Sequence, residues 1–276
     1  MHSPFSFRLG VVTGDLGPLC VGLDPSAELL AAWGLDDDAS GVEHLARTTI
    51  EAVAEIVGVV KVQVAFFERH GAAGYIALEH VLDHAFAAGM LVIGDVKRGD
   101  IPTTNLGYAD AWLRDESPLA VDALTVSCYL GVDAMTGVFE LAHRTGRGVF
   151  AVVASSNDEG RIVQTARLAD GRSVEAGLLA ALGDANRALD GDGDPERCIG
   201  AVVGAQRRPE GLSSFEGPVL VPGIGAQGAG IDDVRTLRAL LPHDNVAVTV
   251  SRGILAAGPS LLALRLAAAS YASDLA

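Results

Sequence analysis

Eight short runs of apolar residues, rich in Val, Ile and Leu, recur along the chain, and each ends in polar residues or glycine. They are residues 19–24, 59–63, 91–97, 123–127, 148–155, 198–204, 219–223 and 246–251. Continuous apolar character without alternation is typical of a strand that helices cover on both faces, as in a parallel sheet. Eight such units in 276 residues predict an α/β protein, a single (β/α)8 TIM barrel domain spanning residues 1–276.

Between these runs the sequence carries Ala, Leu, Glu and Arg at helical spacing. This pattern predicts helices at residues 41–56, 74–88, 106–113, 174–188, 231–241 and 259–275. Two segments lack an apolar pattern: residues 190–196, which are rich in Gly and Asp, and the polar residues 206–217. We predict surface loops there, and no linker is long enough to separate two domains.

The chain is strongly acidic, with a formal net charge of −15. Nucleic acids and anionic membranes attract basic surfaces, so this charge argues against either as a partner. No segment is as long and apolar as a membrane span, and the N-terminus lacks a secretion signal, so we expect a soluble, cytoplasmic protein. Cys20, Cys128 and Cys198 are far apart and lack metal-ligand spacing, so we expect reduced structural thiols.

Polar side chains close most of the apolar runs. In a (β/α)8 barrel the carboxyl ends of the strands converge on the face that holds the active site, so we expect these side chains to meet in one pocket. They are Asp24, Lys61, Gln63, Asp95, Lys97, Ser127, Ser155, Ser156 and Arg252, with the segment 223–228 that contains Gln227.

Lys61 and Lys97 are the only lysines among twenty basic residues. An ammonium is compact and can release a proton, which a guanidinium effectively never does. Asp95 and Lys97 lie two apart on one strand, so both are expected to point into the barrel mouth, and Asp100 follows in the loop. Nearby carboxylates keep a lysine protonated. A structural salt bridge is the alternative, but burying so many charges is costly unless they have a use.

The glycine-rich segment 223–228 and Arg252 lie where barrels often bind phosphate, through backbone N–H groups and a helix N-terminus. A guanidinium can bond two phosphate oxygens at once, which suits Arg252 to this role. The alternative is that the glycines only form a turn. Residues 155–157, Ser-Ser-Asn, fit either a helix N-cap or hydrogen bonding to a polar ring. The histidines show no metal-ligand spacing, and no Ser/His/Asp arrangement is evident.

Five segments, in order along nearly the whole chain, resemble one enzyme family. The most specific, Asp95-Val-Lys97-Arg-Gly-Asp100-Ile101-Pro-Thr-Thr104, resembles the Asp-x-Lys-x-x-Asp-Ile signature of orotidine 5′-monophosphate decarboxylase. The other four are Val21-Gly-Leu-Asp24-Pro25, Lys61-Val-Gln63-Val-Ala-Phe-Phe-Glu68, Leu124-Thr-Val-Ser127-Cys-Tyr129-Leu-Gly131 and Val221-Pro-Gly-Ile-Gly-Ala-Gln227-Gly. Together they are similar to the bacterial type 2 subgroup.

The resemblance implies an enzyme without metal or cofactor that converts orotidine 5′-phosphate to UMP and CO2, the last step of UMP synthesis. It implies that Asp95 lies near the substrate carboxylate. It further implies that Lys97 protonates C6 as CO2 leaves, and that Lys61 orders the charged array.

The resemblance also implies a homodimer in which Asp100, Ile101 and Thr104 reach the partner's site. Contacts with parts of the substrate follow in the same way. They are Asp24 and Lys61 with the ribose, Ser156 with the pyrimidine, and Gln227 and Arg252 with the phosphate. Gln63, Ser127 and Ser155 are further substrate-binding candidates because they close apolar runs.

Three positions depart from the family pattern. Val62 and Cys128 stand where the family has proline, and Pro102 stands where it has glycine. None of these changes removes a charged group. Pro102 fixes its own backbone angle and disfavours the helical region for Ile101, so it bears on the loop geometry around Asp100.

Two other functions remain open from the sequence. One is a sugar-phosphate decarboxylase or aldolase of the same barrel group, in which a similar motif supports a magnesium-bound enediolate. The other is a non-catalytic nucleotide-binding barrel. The full charged array argues against the second, because a binder has no need of Asp95 close to an anionic group.

Overall fold

The computed structural model describes residues 3–190, 196–225 and 228–276. Within these ranges eight parallel strands pair in sequence order, and β8 also pairs with β1, which closes the barrel. The strands are β1 (Leu19–Leu23), β2 (Val59–Gln63), β3 (Leu91–Arg98), β4 (Ala123–Val126), β5 (Gly148–Ala154), β6 (Ile199–Val203), β7 (Val219–Val221) and β8 (Val246–Val250). Each strand lies in one of the eight apolar runs, β3 being one residue longer, so the predicted barrel is confirmed.

Helices surround the barrel and cover the outer face of its strands. In the described ranges they are α1 (Phe5–Leu16), α2 (Ala27–Trp33), α3 (Ala39–Val53), α4 (Ala65–Glu68), α5 (Gly71–Ala87), α6 (Pro102–Leu113), α7 (Thr136–Thr145), α8 (Arg161–Gln164), α9 (Val174–Asp190), α10 (Ile231–Arg238), α11 (Arg252–Leu255) and α12 (Leu261–Leu275). The six predicted helices correspond to α3, α5, α6, α9, α10 and α12. Helical spacing did not indicate the other six, α1, α2, α4, α7, α8 and α11.

Helix α1 closes the end of the barrel opposite the strand carboxyl ends. Phe5 and Leu9 are fully buried among the side chains that fill the barrel interior. The Phe5 ring meets that of Phe150 edge to face, with centroids 5.7 Å apart. Arg8 bonds to the carbonyl of Gly146 at 3.0 Å, and its guanidinium also pairs with Asp122. Helix α1 therefore fills this end of the barrel interior, opposite the strand carboxyl ends.

Helix α6 begins at Pro102, four residues before the predicted start at residue 106. Proline suits the first helical position, because the N–H it lacks has no partner there in any helix. The preceding Ile101 is extended, with φ −66° and ψ 159°, as a residue before proline prefers. Pro102 thus starts the helix two residues after Asp100, which corrects the predicted helix boundary.

The two predicted loops differ in how much of them is described. Residues 206–217 contain only a short 3-10 helix, Leu212–Ser214. Of residues 190–196, Asp190 ends α9, and residues 191–195 lie outside the described ranges. All three cysteines are free and buried. Among the described residues, no helix is both long and apolar enough to span a bilayer.

Candidate active site

A pocket of about 320 Å³ opens at the carboxyl ends of the strands, where the sequence predicts the active site. Apolar side chains of Val152, Val202 and Leu220 form part of its wall. The predicted site residues that line it are Asp24, Lys61, Gln63, Asp95, Lys97, Ser155, Ser156 and Arg252. Polar residues from distant parts of the sequence are thus brought together by the barrel.

Asp95 lies between the two lysines. Its Oδ2 accepts a hydrogen bond from Lys61 Nζ at 2.7 Å, and its Oδ1 accepts one from Lys97 Nζ, also at 2.7 Å. Asp24 Oδ1 is 3.7 Å from Lys61 Nζ, an ion pair without a hydrogen bond. The two carboxylates and two ammonium groups balance in charge, which makes their burial less costly than that of a single ion.

Burial and charge act in opposite directions on these groups. Burial alone would lower the pKa of Lys61, but the charges of Asp24 and Asp95 and the hydrogen bond to Asp95 outweigh it and raise that pKa. Burial alone would raise the pKa of Asp95, but the charges of Lys61 and Lys97 hold it well below its usual range. Lys61 and Asp95 are therefore both charged at neutral pH.

Lys97 departs from regular strand geometry. Its φ is 48°, in the left-handed region, and the pairing of β3 with β4 shifts between Gly94 and Arg98. A non-glycine residue held there costs on the order of 1–3 kcal/mol. Asp95 and Lys97 both line the pocket, as expected, but an irregular backbone at Lys97 and not plain strand alternation places them there.

Thr125 in β4 is a member of the site that the sequence analysis missed. It is 1% exposed. Its Oγ1 donates to Asp95 Oδ1 at 2.8 Å and accepts from the backbone N–H of Lys97 at 3.0 Å. The available signal was a hydroxyl inside an otherwise apolar strand, and Thr249, which lines the pocket from β8, shows the same signal.

Ser155 is fixed by residues that sequence reasoning also missed. Gln164 Nε2 donates to Ser155 Oγ at 2.7 Å, and Gln164 Oε1 accepts from the Ser155 backbone N–H at 3.1 Å. The buried Arg207 donates to Gln164 Oε1 at 3.0 Å and to Glu175 at 2.6 Å. The buried ion pair of Arg207 and Glu175 therefore fixes the Gln164 amide, which in turn fixes Ser155 at the pocket wall.

Residues 155–157 do not cap a helix. Asn157 precedes the 3-10 turn Asp158–Gly160 without a side-chain capping bond, and its amide donates instead to Glu159 at 2.8 Å. Ser156 packs tightly on Gly204, where an added Cβ would lie 2.8 Å from Ser156 Cα. The helix-cap alternative is therefore wrong, and a glycine after β6 makes room for the segment that carries both serines.

In the glycine-rich segment after β7, the described residues Gly223, Gly225 and Gly228 have positive φ angles. The N–H of Gly225 donates to Ala229 at 2.9 Å, and that of Gly228 donates to Gly225 at 3.0 Å. These two N–H groups are thus bonded to nearby backbone carbonyls. Arg252 begins α11 and lines the pocket. Gln227 lies outside the described residues.

Four predicted site residues, Asp100, Ile101, Thr104 and Ser127, are not in the pocket wall. Asp100 Oδ1 accepts from the Ile101 N–H at 2.7 Å, and its own N–H donates to Asn105 at 2.8 Å. Ile101 and Thr104 are exposed. Ser127 is half-buried, and its N–H bonds to the carbonyl of Arg98. Within one chain these four do not join the charged array.

The groups in the pocket define the chemistry it can perform. Fixed cations beside an apolar wall stabilise negative charge that develops on a bound molecule. An ammonium can also donate a proton. In the part of the chain that the structure describes, no three or more His, Cys, Asp or Glu side chains are arranged to hold a metal ion.

Known proteins resemble this chain over almost its full length. A model of the orotidine 5′-phosphate decarboxylase / HUMPS family matches residues 17–267. Proteins named orotidine 5′-phosphate decarboxylase from Salinispora tropica and Streptomyces coelicolor are 48% and 47% identical, covering 98% and 99% of this chain and 96% and 97% of their own lengths. The crystal structure of a putative orotidine 5′-phosphate decarboxylase from Streptomyces avermitilis matches with a TM-score of 0.88 at 47% identity, covering 99% of this chain and 95% of that one.

Proposed function

The chain belongs to the orotidine 5′-phosphate decarboxylase/HUMPS family, and we propose that it converts orotidine 5′-phosphate to UMP and CO2 with the charged array around Asp95. This reaction belongs to pyrimidine biosynthesis. The observation that carries the proposal is a buried carboxylate held between two ammonium groups, each at 2.7 Å, in the mouth of the barrel.

Lys97 is the proton donor in this mechanism. The bond from C6 to the carboxylate carbon breaks, CO2 leaves, and the electron pair stays on C6. The Lys97 ammonium stabilises this pair and then transfers a proton to C6, and the resulting amine recovers a proton from solvent. At about 4 Å and an effective dielectric near 20, the ammonium contributes roughly 4 kcal/mol, or about three decades of rate.

Asp95 acts on the substrate carboxylate. Its lowered pKa keeps it charged, so a second carboxylate placed beside it is repelled. The repulsion is relieved as CO2 forms, because the departing group becomes neutral. Only interactions that differ between ground state and transition state raise the rate. Lys61 holds Asp95 in place from the other side.

Binding of the parts of the substrate that do not react supplies the remaining energy. Asp24 Oδ1 is buried and lacks a hydrogen-bond partner in the described chain, which suits it, with Lys61, to bind a ribose hydroxyl. Ser156 and the Ser155 held by Gln164 face the pyrimidine. Arg252 binds the phosphate, and we propose the same role for Gln227 from its motif alone.

The site is completed by a second copy of the chain. Four large apolar side chains near the start of α6 and after β4 are strongly exposed, and we call them the apolar rim: Ile101 (55%), Leu106 (48%), Tyr129 (83%) and Leu130 (53%). Such a patch is typical of an interaction surface. We propose that this surface forms a two-fold interface in which Asp100, Ile101 and Thr104 reach the partner's pocket.

Mixing two inactive variants tests the shared site. Lys97→Ala and Asp100→Asn homodimers are each expected to be inactive. Subunit exchange between them creates mixed dimers with one intact pocket, so a 1:1 mixture should recover about a quarter of wild-type activity under random exchange. If mass spectrometry shows mixed dimers and activity does not recover, the site is not shared between subunits. That result would not contradict the proposed decarboxylase activity.

The activity is tested by an ultraviolet assay of orotidine 5′-phosphate decarboxylation with and without EDTA. We expect turnover that EDTA does not change. Absence of turnover, together with metal-dependent release of CO2 from a keto-sugar phosphate, would instead favour the magnesium-dependent enzymes of the same barrel group. UMP binding without either activity would favour a nucleotide-binding barrel.

A further inference from the structure

Thr125 is a buried polar side chain that touches both Asp95 and Lys97. We propose that it is a positioning residue for the decarboxylation. It fixes the Asp95 carboxylate and the Lys97 backbone in the arrangement that directs the Lys97 ammonium to C6. The inference rests on the proposed function, since it concerns the same reaction at the same site.

The directions of the two hydrogen bonds at Thr125 are fixed by chemistry. The backbone N–H of Lys97 can only donate, so Thr125 Oγ1 is the acceptor at 3.0 Å. An ionised carboxylate can only accept, so the Thr125 hydroxyl donates to Asp95 Oδ1 at 2.8 Å. The lowered pKa of Asp95 keeps this carboxylate ionised. One hydroxyl therefore links the strained backbone to the carboxylate without ambiguity.

The backbone around Lys97 shows why this link is needed. Gly94 pairs with Leu124 and Arg98 with Val126, so four steps along β3 correspond to two along β4. The extra residues bulge out of the ladder, and Lys97 takes a φ of 48°. A strained conformation of this kind persists only where its surroundings hold it. Here the side chain of Thr125 receives the Lys97 N–H, in place of a strand carbonyl.

The same hydroxyl restricts rotation of the Asp95 carboxylate. Oδ1 accepts from both Thr125 and Lys97 Nζ, while Oδ2 accepts from Lys61. Thr125 is uncharged, so removing its hydroxyl leaves the net charge of the site and its long-range attraction for an anionic substrate unchanged. The loss should therefore affect the chemical step far more than binding.

Thr125→Val removes the hydroxyl and keeps the shape, whereas Thr125→Ser keeps the hydroxyl. We expect Thr125→Val to lower kcat about 10- to 100-fold with KM within about threefold, because small misplacements of reacting groups carry costs of this size. Thr125→Ser should recover kcat to within about fivefold of wild type. The matched control is Thr49→Val, which removes a fully buried threonine hydroxyl bonded to Leu45 within α3, outside the pocket wall, and should leave kcat unchanged.

A second readout isolates Lys97. Exchange of the C6 hydrogen of UMP for solvent deuterium uses the same proton transfer but no substrate carboxylate. In Thr125→Val this exchange should slow by a factor similar to that of kcat, while UMP affinity stays within about threefold of wild type. A purely structural role would lower the stability of Thr125→Val and Thr49→Val alike and leave both rates unchanged.

The outcomes separate this inference from the proposed function. An active wild type with unchanged kcat in Thr125→Val overturns the positioning role alone, and a wild type without turnover overturns the proposed function and this role with it. If Thr125→Val does not fold, Thr125→Ala and Thr125→Ser give the same test, because they differ only by the hydroxyl. Equal kcat values for those two variants would overturn the role.

Discussion

Lys61 and Lys97 bind opposite oxygens of the same carboxylate at the same distance, 2.7 Å, yet their surroundings differ greatly. The Lys61 side chain is 5% exposed, lies on a regular strand and has a second acid, Asp24, within 3.7 Å. The Lys97 side chain is 49% exposed and extends from a left-handed backbone. Distance to Asp95 does not distinguish the two lysines, whereas burial and backbone geometry do.

The difference assigns them unequal tasks. A buried ammonium between two carboxylates is held in one position and has little access to water, so Lys61 serves as a fixed charge at the pocket wall and not as a proton donor. A half-exposed ammonium can meet a bound substrate and exchange protons with water, so Lys97 can donate a proton in every turnover. Four predictions test this division, from the largest expected effect to the smallest.

Lys97→Ala should have the largest effect on activity. It removes both the cation that stabilises the carbanion and the proton that reaches C6, so kcat should fall by about three decades or more. UMP binding, measured by calorimetry, should change far less. Lys97→Arg keeps the charge but cannot supply the proton, so it should not restore activity. Near-normal turnover in Lys97→Ala would contradict the proton-donor role.

Stability should show the opposite order. Lys61→Met leaves Asp95 and Asp24 without their shared buried partner, and it should lower the free energy of unfolding by about 3 kcal/mol. Lys97→Met removes a half-exposed ion pair and should change that free energy by less than about 1 kcal/mol. Chemical denaturation of both variants measures the difference. Equal losses would show that burial does not separate the two lysines.

The Lys61 contribution to stability should be constant around neutral pH. The pKa of Lys61 is higher in the folded protein than in the unfolded chain, where it is about 10.4. The stability that Lys61 contributes is therefore fully present below a pH of about 10.4 and is lost as the pH rises through the pKa of the folded protein. The pKa of Asp95 is lower in the folded protein than in the unfolded chain, where it is about 3.9. The stability that Asp95 contributes is therefore fully present above a pH of about 3.9 and is lost as the pH falls through the pKa of the folded protein.

Unfolding of wild type and Lys61→Met at about pH 5, 7 and 9 tests this constancy. The difference in the free energy of unfolding between the two proteins should be the same at the second and third values, because Lys61 keeps its proton at both. If the difference in unfolding free energy becomes smaller between about pH 7 and pH 9, Lys61 loses its proton in the folded protein at a pH well below its raised pKa.

Much of the barrel was predictable because its determinants are local. Each parallel strand is buried on both faces and therefore consists of a continuous run of apolar residues. The meeting of Lys61 with Asp95 and Lys97 then follows from topology, since strand ends converge on one face. Helix α1 was not predicted, because only two of its side chains, Phe5 and Leu9, are buried in the barrel interior.

The contacts inside the site were less predictable because they depend on departures from regular geometry. The bulge at Lys97 leaves no mark in the sequence, since lysine has no preference for positive φ. Thr125 becomes important only once that bulge directs the Lys97 N–H to its side chain. Gln164 and Arg207 act on Ser155 across loops whose paths no periodicity specifies.

Gln63→Ala should have the smallest effect on kcat of the four predictions. It tests whether Gln63 is needed to position Lys97. Gln63 accepts a hydrogen bond from Lys97 Nζ at 3.3 Å, longer than the bond to Asp95. A long bond to a neutral, half-buried amide contributes little, so kcat should fall by less than about tenfold. A loss as large as that of Lys97→Ala would mean that Lys97, like Lys61, is held from two sides. A small loss would leave Asp95 and the backbone bond to Thr125 as the constraints that position the proton donor.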